Sequence, residues 1–434
     1  MRHRLLPLAA LALLVVPAAA YAAGPGAGFD VETATRAWLD TLQGPARAKS
    51  DAYFEGGYWL TLWGTLVSIA SDAVLLKFGM SARFRDLGER WFKRRAGVVW
   101  IAALCYTLAG WALTLPWAIY TGFVRESQYG MMNQTFAGWL SDTVKGLGIS
   151  LVLAPLLIMA IYAVIRRFPR NWWLPSTGVV TAFLTTGMLL APVYIAPLFN
   201  TYTELPDGPV RDRIVAMAQA KQIPSQHIYL FDASKQTTRI SANVSGIGPT
   251  IRISLNDNLL NRSSPAEIAA VMGHEMGHYK LNHVWSSLLI LSLLAAAILF
   301  LVARIAPRLI ARFGTRWGVR ELADPASLPV LGMLIAGLAL LATPLTNTLI
   351  RVNESQADAF GLDIAKEPDG FASIAMKLSE YRKIEPGVIE EALFFDHPSG
   401  ATRVHMSMQW KRDHVPDAQM VIPPPMPPAP LKPQ

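Results

Sequence analysis

The sequence predicts a mainly α-helical, polytopic transmembrane bundle that carries a small mixed α/β domain. Hydrophobic residues make up 52% of the 434 positions and charged residues only 16%, whereas charged residues reach about 25% in ordinary soluble domains. Several apolar runs are long enough to cross a bilayer, which takes about 20 residues. Two other stretches break this apolar pattern: 197–282 mixes strand-like and helix-like segments, and 351–414 has a helical pattern.

The predicted spans are bounded by charged residues or by Trp and Tyr, which is the usual anchoring at a membrane interface. Asp72 falls within the first span. Because a lipid-facing carboxylate is costly, we expect it near a bilayer edge or in the bundle interior. His227–Phe231 and Thr250–Leu255 are predicted to be short strands. The six spans lie near residues 56–76, 98–120, 147–165, 174–196, 285–305 and 329–349.

The positive charges are distributed unevenly among the loops. Arginine and lysine are concentrated in the segments 79–97, 166–173 and 304–328, whereas the segment 121–146 has only Arg125 and Lys145. Six spans place the three basic segments on one side, and Lys and Arg in short loops mark the cytoplasm. The net charge of +8 is therefore interpreted as membrane topology and not as a nucleic-acid surface.

The single cysteine, Cys105, lies inside an apolar run. The sequence therefore contains neither a disulfide framework nor a cysteine-based zinc site. At the N-terminus, a basic start and a short apolar region precede an Ala-Tyr-Ala pattern at 20–22, so residues 1–22 are expected to be a cleaved signal peptide. The alternative is an uncleaved first membrane helix.

Residues 274–278, His-Glu-Met-Gly-His, carry the main chemical signal of the chain. Two histidines at positions i and i+4 of a helix present neighbouring imidazoles on one face, which suits tetrahedral zinc. The preceding stretch 264–267, Ser-Pro-Ala-Glu, is a capping box with proline at the first helical position, so the motif is placed on a helix. We predict one Zn²⁺ per chain, bound by His274 and His278, with Glu275 as general base.

A catalytic zinc ion of this type needs a third protein ligand and an open position for water. Glu354 is the candidate, because Glu354 and Asp358 again stand at i and i+4. One carboxylate can bind zinc while the other accepts a hydrogen bond from a ligand imidazole. His283 lies about 140° around a continuous helix from His278 and is expected to face elsewhere, as a polar helix-end histidine.

Together these motifs resemble the integral-membrane gluzincin proteases of the CAAX prenyl protease 1 class, over roughly residues 50–410. The family combines HExxH with a later ExxxD element. The matching stretches outside 274–278 are Glu354–Phe360 (Glu-Ser-Gln-Ala-Asp-Ala-Phe), Ala196–Asn200, Ser234-Lys235, and Asp396–Ser399 followed by Arg403.

The resemblance implies a role for each matching residue. His274, His278 and Glu354 would bind zinc and Glu275 would be the base. Asp358 would orient a zinc-binding histidine. His397 would help to stabilise the tetrahedral oxyanion, and Arg403 would lie nearby in a structural or substrate-binding role.

One departure from the family pattern concerns the strand that holds the substrate backbone. The family has Asn-Ala-Tyr there, whereas this chain has Ser241-Ala242-Asn243. Ser241 takes the position of the asparagine, and Asn243, two residues on, is expected on the same face of the strand. The sequence leaves open which of the two would contact substrate. The strand near 250–255 is expected to bind an extended peptide by β-augmentation.

The sequence thus predicts a zinc-dependent membrane metalloendopeptidase of a bacterial inner membrane, with its catalytic site on the periplasmic face. Its partners would be the lipid bilayer and a peptide or protein substrate, with no nucleic acid; the oligomeric state is not specified. A prenylated substrate is not expected in bacteria, so quality control of membrane or secreted proteins is the nearest role. The alternatives are a non-catalytic zinc-binding scaffold and a transporter, although no inverted repeat supports transport.

The predicted organisation follows from these assignments. Residues 1–22 form the signal peptide, 23–196 a membrane domain with four spans, 197–284 the catalytic segment with HExxH, 285–350 two further spans, 351–414 a second catalytic segment with the third ligand, and 415–434 a proline-rich disordered tail.

Overall fold

The computed structural model describes residues 28–246 and 251–423. The predicted signal peptide, residues 424–434 of the predicted tail and Thr250 of the second predicted strand lie outside the described residues. Residues 415–423 contain neither helix nor strand. Helices make up most of the described chain, so the prediction of a mainly α-helical fold is confirmed.

Among the described residues, six helical segments are long and apolar enough to cross a membrane. All six predicted spans are therefore confirmed by length and composition. The helices are Val31–Leu39 (α1), Gly44–Lys77 (α2), Met80–Trp91 (α3), Arg95–Ile119 (α4), Arg125–Tyr129 (α5), Phe136–Arg167 (α6), Trp173–Leu190 (α7), Pro209–Ala220 (α8), Asp257–Arg262 (α9), Pro265–Lys280 (α10), His283–Trp317 (α11), Leu328–Ala365 (α12), Pro368–Leu378 (α13), Val388–Phe394 (α14) and Gly400–His414 (α15). A π-helical turn, Tyr120–Val124, joins α4 to α5, and the spans are α2, α4–α5, α6, α7, α11 and α12.

The last span, α12, is one continuous helix of 38 residues. The boundary predicted at residue 350 therefore falls inside a helix. Hydropathy drops at that point, but the helical backbone continues without a break as far as Ala365. As a result, Glu354 and Asp358 are carried directly on the end of a membrane helix.

The two basic segments 79–97 and 304–328 lie together at one end of the bundle. An Arg85 Nη1 atom lies 2.7 Å from Asp324 Oδ2, and an Arg320 Nη1 atom lies 2.6 Å from Glu89 Oε1. Asp72 lies in the bundle interior, 4% exposed, and accepts a hydrogen bond of 2.9 Å from a tyrosine hydroxyl of α4. In this location the carboxylate has a hydrogen-bond donor and does not face lipid.

The described strands form one mixed sheet in the order β1-β2-β4-β3. They are Tyr202–Glu204 (β1), Ile228–Phe231 (β2), Ala242–Ser245 (β3) and Arg252–Asn256 (β4). The two predicted strands are β2 and β4, which pair in parallel at the centre. Both edges of β4 are paired, so the prediction that the strand near 250–255 adds a peptide is wrong. The edge strand beside it is β3, antiparallel to β4.

Two cores hold the non-membrane segments together. In the first, the sheet packs against α8 and α10 through fully buried apolar side chains, among them Ile228, Ile253 and Met272. In the second, the N-terminal helix α1 packs through Trp38 and Leu39 against α13 and α15. The segments before and after the membrane helices therefore fold as one unit around the HExxH helix.

Candidate metal centre and active site

The motif helix α10 starts where the sequence predicts it. The Ser264 side chain accepts from the backbone of Glu267, and the Glu267 carboxylate accepts from the backbone of Ser264 at 2.6 Å. Lys377 of α13 adds an ion pair to Glu267 at 2.7 Å. These contacts fix the first turn of α10, two turns before its histidines.

Helices α10 and α12 approach so closely that only glycine fits at their contact. A Cβ atom at Gly273 would lie 2.9 Å from the carbonyl oxygen of Gly361, and one at Gly361 would lie 2.8 Å from the backbone nitrogen of His274. A Cβ at Gly277 would lie 3.0 Å from the Cα of Ala357. The small residues allow the backbones to touch, which brings Glu354 to the histidine face of α10.

Three candidate ligand side chains converge at this contact. His274 Nε2 and His278 Nε2 lie 3.1 Å apart, and each lies 3.3 Å from an oxygen of Glu354. Tetrahedral ligands with zinc bonds of about 2.0–2.1 Å are about 3.3 Å from one another. The spacing of the three residues therefore fits a zinc ion.

The electrostatics of these residues also fit a cation. The Glu354 Oε2 atom is buried and accepts no hydrogen bond from the described residues. Burial alone would lower the pKa of His274, but the carboxylates of Asp358 and Glu354 outweigh it and raise that pKa to about 9. The site thus favours a positive charge between the ring nitrogens and the carboxylate, which a divalent ion supplies.

Asp358 and Arg403 fix the orientation of His274. The Asp358 Oδ1 atom accepts from Nδ1 of His274 at 2.7 Å, so Nε2 faces the ligand cluster. Arg403 forms a bidentate pair with the same carboxylate, at 2.8 Å through Nε and 2.5 Å through Nη2. Asp358 is fully buried, and the guanidinium balances its charge. The structure therefore brings both residues together with His274.

His283 does not face away from the motif, so that prediction is wrong. The geometric argument assumed a continuous helix, but α10 ends at Lys280 and Asn282 adopts a left-handed backbone with φ of 58°. The chain turns back, and the two Nδ1 atoms of His278 and His283 lie 2.9 Å apart. His283 Nε2 lies 3.1 Å from Oε1 of Gln356. If Nε2 of His283 donates to this oxygen, its Nδ1 accepts from His278, whose Nε2 then faces the cluster.

Glu275 and His397 complete the group around the cluster. Glu275 lines a pocket of about 220 Å³ beside His274, and burial raises the pKa of its carboxyl. His397 Nε2 lies 3.3 Å from Glu354 Oε2, and its Nδ1 lies 2.8 Å from Oδ1 of Asp396. Burial lowers the pKa of His397, and the neighbouring carboxylates offset this only in part. The sequence alone did not distinguish His397 from other histidines.

Two cavities adjoin one another here, and His274, Glu275 and His397 line the smaller one. The 220 Å³ pocket is bounded by β3 and α13, and a larger cavity of about 1280 Å³ lies between α2, α12 and the sheet. Ser241 lines both, whereas Asn243 lines a separate cavity near Pro192 and Tyr202. The two residues therefore do not share a face toward the site, and only Ser241 is placed beside it.

Some residues at the site were not found from the sequence. The contact between α10 and α12 has a visible signal, since Gly273 and Gly277, like Ala357 and Gly361, stand four apart as small-xxx-small pairs. No local pattern marks Arg382, which lines both cavities.

Two family models match this chain. A family model for peptidase family M48 matches residues 204–410, and a model for the CAAX prenyl protease N-terminal region, described as five membrane helices, matches residues 39–201. The latter range contains four of the six candidate spans of the described residues.

Two curated relatives and one solved structure are similar to this chain. The uncharacterized metalloprotease YhfN of Bacillus subtilis is 28% identical over 83% of this chain and 82% of its own length. A CAAX prenyl protease 1 homolog of Arabidopsis thaliana is 30% identical over 57% of this chain and 60% of its own length. The crystal structure of S. mikatae Ste24p matches with a TM-score of 0.71 and 20% identity, covering 87% of this chain and 96% of that chain, which shows a shared fold. The chain therefore carries a peptidase family M48 domain at residues 204–410 behind a CAAX prenyl protease N-terminal region, and it is a multi-pass membrane metalloprotease.

Proposed function

We propose that this chain is a zinc-dependent endopeptidase in which His274, His278 and Glu354 bind one zinc ion. The observation that carries the proposal is the convergence of two ring nitrogens 3.1 Å apart on the buried carboxylate of Glu354, with one of its oxygens 3.3 Å from each nitrogen. When bound, zinc polarises the substrate carbonyl and lowers the pKa of a water molecule.

Two residues of the chain, Glu275 and His397, would handle the protons of the reaction. Glu275 accepts a proton from the attacking water and passes it to the leaving amine. Its raised pKa suits this role, because a base that must also donate needs a pKa nearer the working pH. His397, whose Nδ1 lies 2.8 Å from Oδ1 of Asp396, would donate from Nε2 toward the oxyanion. Because burial lowers its pKa, the protonated ring that this requires would be stabilised by the negative charge that develops on the oxyanion. Arg403 and Asp358 keep His274 in place.

We propose an extended peptide as substrate, bound along β3. This edge strand has β4 on one side only, and its first residue, Ala242, lines the pocket that contains His274 and Glu275. An extended segment can hydrogen-bond to such an edge while its side chains enter alternate pockets. Ser241, at the start of this edge, is the residue that we expect to contact the substrate backbone.

The first experiment compares purified wild type with Glu275→Gln in zinc content and in cleavage of a fluorogenic peptide library. We expect Glu275→Gln to retain zinc and to lose about 10²-fold or more of the activity. The matched control is Glu321→Gln, at an exposed carboxylate in the basic segment 304–328 at the opposite end of the bundle. Near wild-type turnover in Glu275→Gln would refute the mechanism, and zinc binding without any cleavage by wild type would favour a scaffold.

We further propose that the protein lies in a bacterial inner membrane with its site on the periplasmic face. The clustering of the basic segments 79–97 and 304–328 at one end of the bundle supports this. The opposite orientation would follow from an uncleaved first helix. Alkaline phosphatase fused after Gln434 should be active, whereas fluorescence from a fluorophore that matures only in the cytosol would contradict this orientation. A periplasmic site favours membrane or secreted proteins as substrates over prenylated ones.

A further inference from the structure

Arg382 occupies the junction between the two cavities of the site. It lines the 220 Å³ pocket together with His274 and Glu275, and it also lines the 1280 Å³ cavity between the membrane helices and the sheet. Ile240, Ser241 and Tyr381 also line both cavities, so these residues and Arg382 mark the place where the two cavities adjoin.

The guanidinium of Arg382 makes no hydrogen bond and no ion pair with the residues that the structure describes. Other arginines near the site are paired: Arg403 with Asp358, Arg239 with Glu126, and Arg262 with Glu380. Arginine has five N–H donors and stays charged in proteins. Burial lowers the pKa of Arg382, and the neighbouring Tyr381, Asp396 and Glu354 offset this only in part. A guanidinium in this situation gains more from an anionic partner than one exposed to solvent.

The backbone around Arg382 is held on both sides, so the residue cannot move away as a loop. Its carbonyl oxygen accepts from the Ser50 hydroxyl at 3.2 Å. The next residue, Lys383, pairs with Glu55 at 2.7 Å and with Glu390 at 2.9 Å. Ile384 is fully buried, and its carbonyl accepts from the backbone of Ala401 at 3.1 Å. These contacts hold the backbone of the segment in place, while the N–H groups of the Arg382 guanidinium remain available to a ligand.

The smaller pocket has an apolar side as well as the polar side formed by His274, Glu275 and His397. Phe371, Ile374 and Leu378 of α13 line the apolar side together with Val271 of α10. The second cation of the pocket, Arg403, is already engaged by Asp358. The pocket thus suits an apolar peptide segment with one negative charge.

We propose that Arg382 binds a carboxylate of the substrate within a few residues of the cleaved bond, and so selects substrates that carry one there. The inference rests on the proposed peptidase function. The carboxylate comes either from the C-terminus of the substrate or from an aspartate or glutamate side chain. A planar guanidinium binds either through two parallel hydrogen bonds.

Binding is measured in the Glu275→Gln background, so that no peptide is consumed. Fluorescence anisotropy compares labelled apolar peptides that end in a carboxylate or an amide, and amidated peptides that contain glutamate or glutamine. A charged hydrogen-bonded contact corresponds to about 10-fold or more in affinity. We expect at least one carboxylate peptide to bind at least about 10-fold more tightly than its neutral partner. The pair that shows the preference identifies the source of the carboxylate.

The variants Arg382→Gln and Arg382→Lys test the residue itself. Arg382→Gln should remove the preference, and Arg382→Lys should retain part of it, since lysine keeps the charge without the bidentate geometry. Arg170→Gln, at an exposed arginine of the basic segment 166–173, should leave the preference unchanged. In the enzyme with Glu275, Arg382→Gln should raise KM for the carboxylate peptide and leave kcat almost unchanged.

The outcomes separate this inference from the proposed function. Equal binding of carboxylate and neutral peptides by the parent protein overturns the inference, and so does a preference that persists in Arg382→Gln with zinc content unchanged. Should Arg382→Gln fail to fold, Arg382→Lys decides the question. Its preference for the carboxylate peptide over the neutral peptide should be smaller than that of the parent protein, because lysine cannot form two parallel hydrogen bonds with a carboxylate. Absence of cleavage by wild type, with the carboxylate preference intact in the binding assay, refutes the peptidase proposal and leaves the carboxylate site standing.

Discussion

Substitution of Gly361 by alanine tests whether the contact between α10 and α12 sets the geometry of the metal centre. The new Cβ atom would lie 2.8 Å from the backbone nitrogen of His274 and 3.1 Å from its Cα. Non-bonded carbons prefer about 3.5–4.0 Å, so the helices must separate by roughly 0.5–1 Å. Backbone atoms cannot rotate out of the way as a side chain can.

The expected effects follow from this displacement. Overpacking of a well-packed contact costs about 1–3 kcal/mol of the free energy of unfolding. Metal sites tolerate deviations of only about 0.2 Å in ligand distance. A shift of Glu354 relative to His274 and His278 should therefore weaken zinc binding by about 10–100-fold, as loss of an outer-shell partner does.

The assay is zinc affinity by competition with a chromogenic chelator, together with the thermal midpoint of unfolding. Gly337→Ala is the matched control, since Gly337 lies on the same helix and a Cβ there has nothing within 4 Å. It should leave zinc affinity unchanged. If Gly361→Ala binds zinc as tightly as the control, the close approach of the two helices does not set the ligand geometry.

Three further predictions concern the residues behind the ligands. His283→Ala should lower zinc affinity by about 10–100-fold, because His278 loses the partner of its Nδ1 atom; His227→Ala, at a histidine outside the cluster, should not change it. Arg403→Met should lower the free energy of unfolding by about 3–5 kcal/mol, because the fully buried Asp358 loses its bidentate partner; unchanged denaturant midpoints would contradict this. Removal of zinc by a chelator should lower the thermal midpoint of unfolding, and added zinc should restore it. The reason is that an ion at 100 times its dissociation constant stabilises the folded state by about 2.7 kcal/mol. A midpoint unaffected by chelation would argue against a bound ion.

Much of the site could be predicted from the sequence because its signals are local. The spans follow from hydropathy, which depends only on the residues within each helix. The start of α10 follows from the capping box at Ser264 and Glu267, and the spacing of His274 and His278 places both on one face. Pairing Glu354 with Asp358 needed only the same i, i+4 rule, and the resemblance to the family supplied His397 and Arg403.

Only the tertiary structure decided the features that depend on contacts between distant segments. The sequence shows glycines in α10 and α12 but not that these helices touch, since the membrane helix α11 lies between them in the chain. The helix break at Asn282 turned His283 toward His278, although a continuous helix would have placed it elsewhere.

Strand order and cavity walls are likewise non-local. Hydrophobic alternation identified β2 and β4 but not that β3 would close the second edge of β4, which moved the candidate peptide edge to Ala242–Ser245. Arg382 stands in a stretch without a motif, and its importance appears only where the fold gives neighbouring arginines acidic partners and leaves this one facing two cavities. The sequence determined which local elements form and which residues can bind metal. Packing between elements far apart in the chain determined what those residues face.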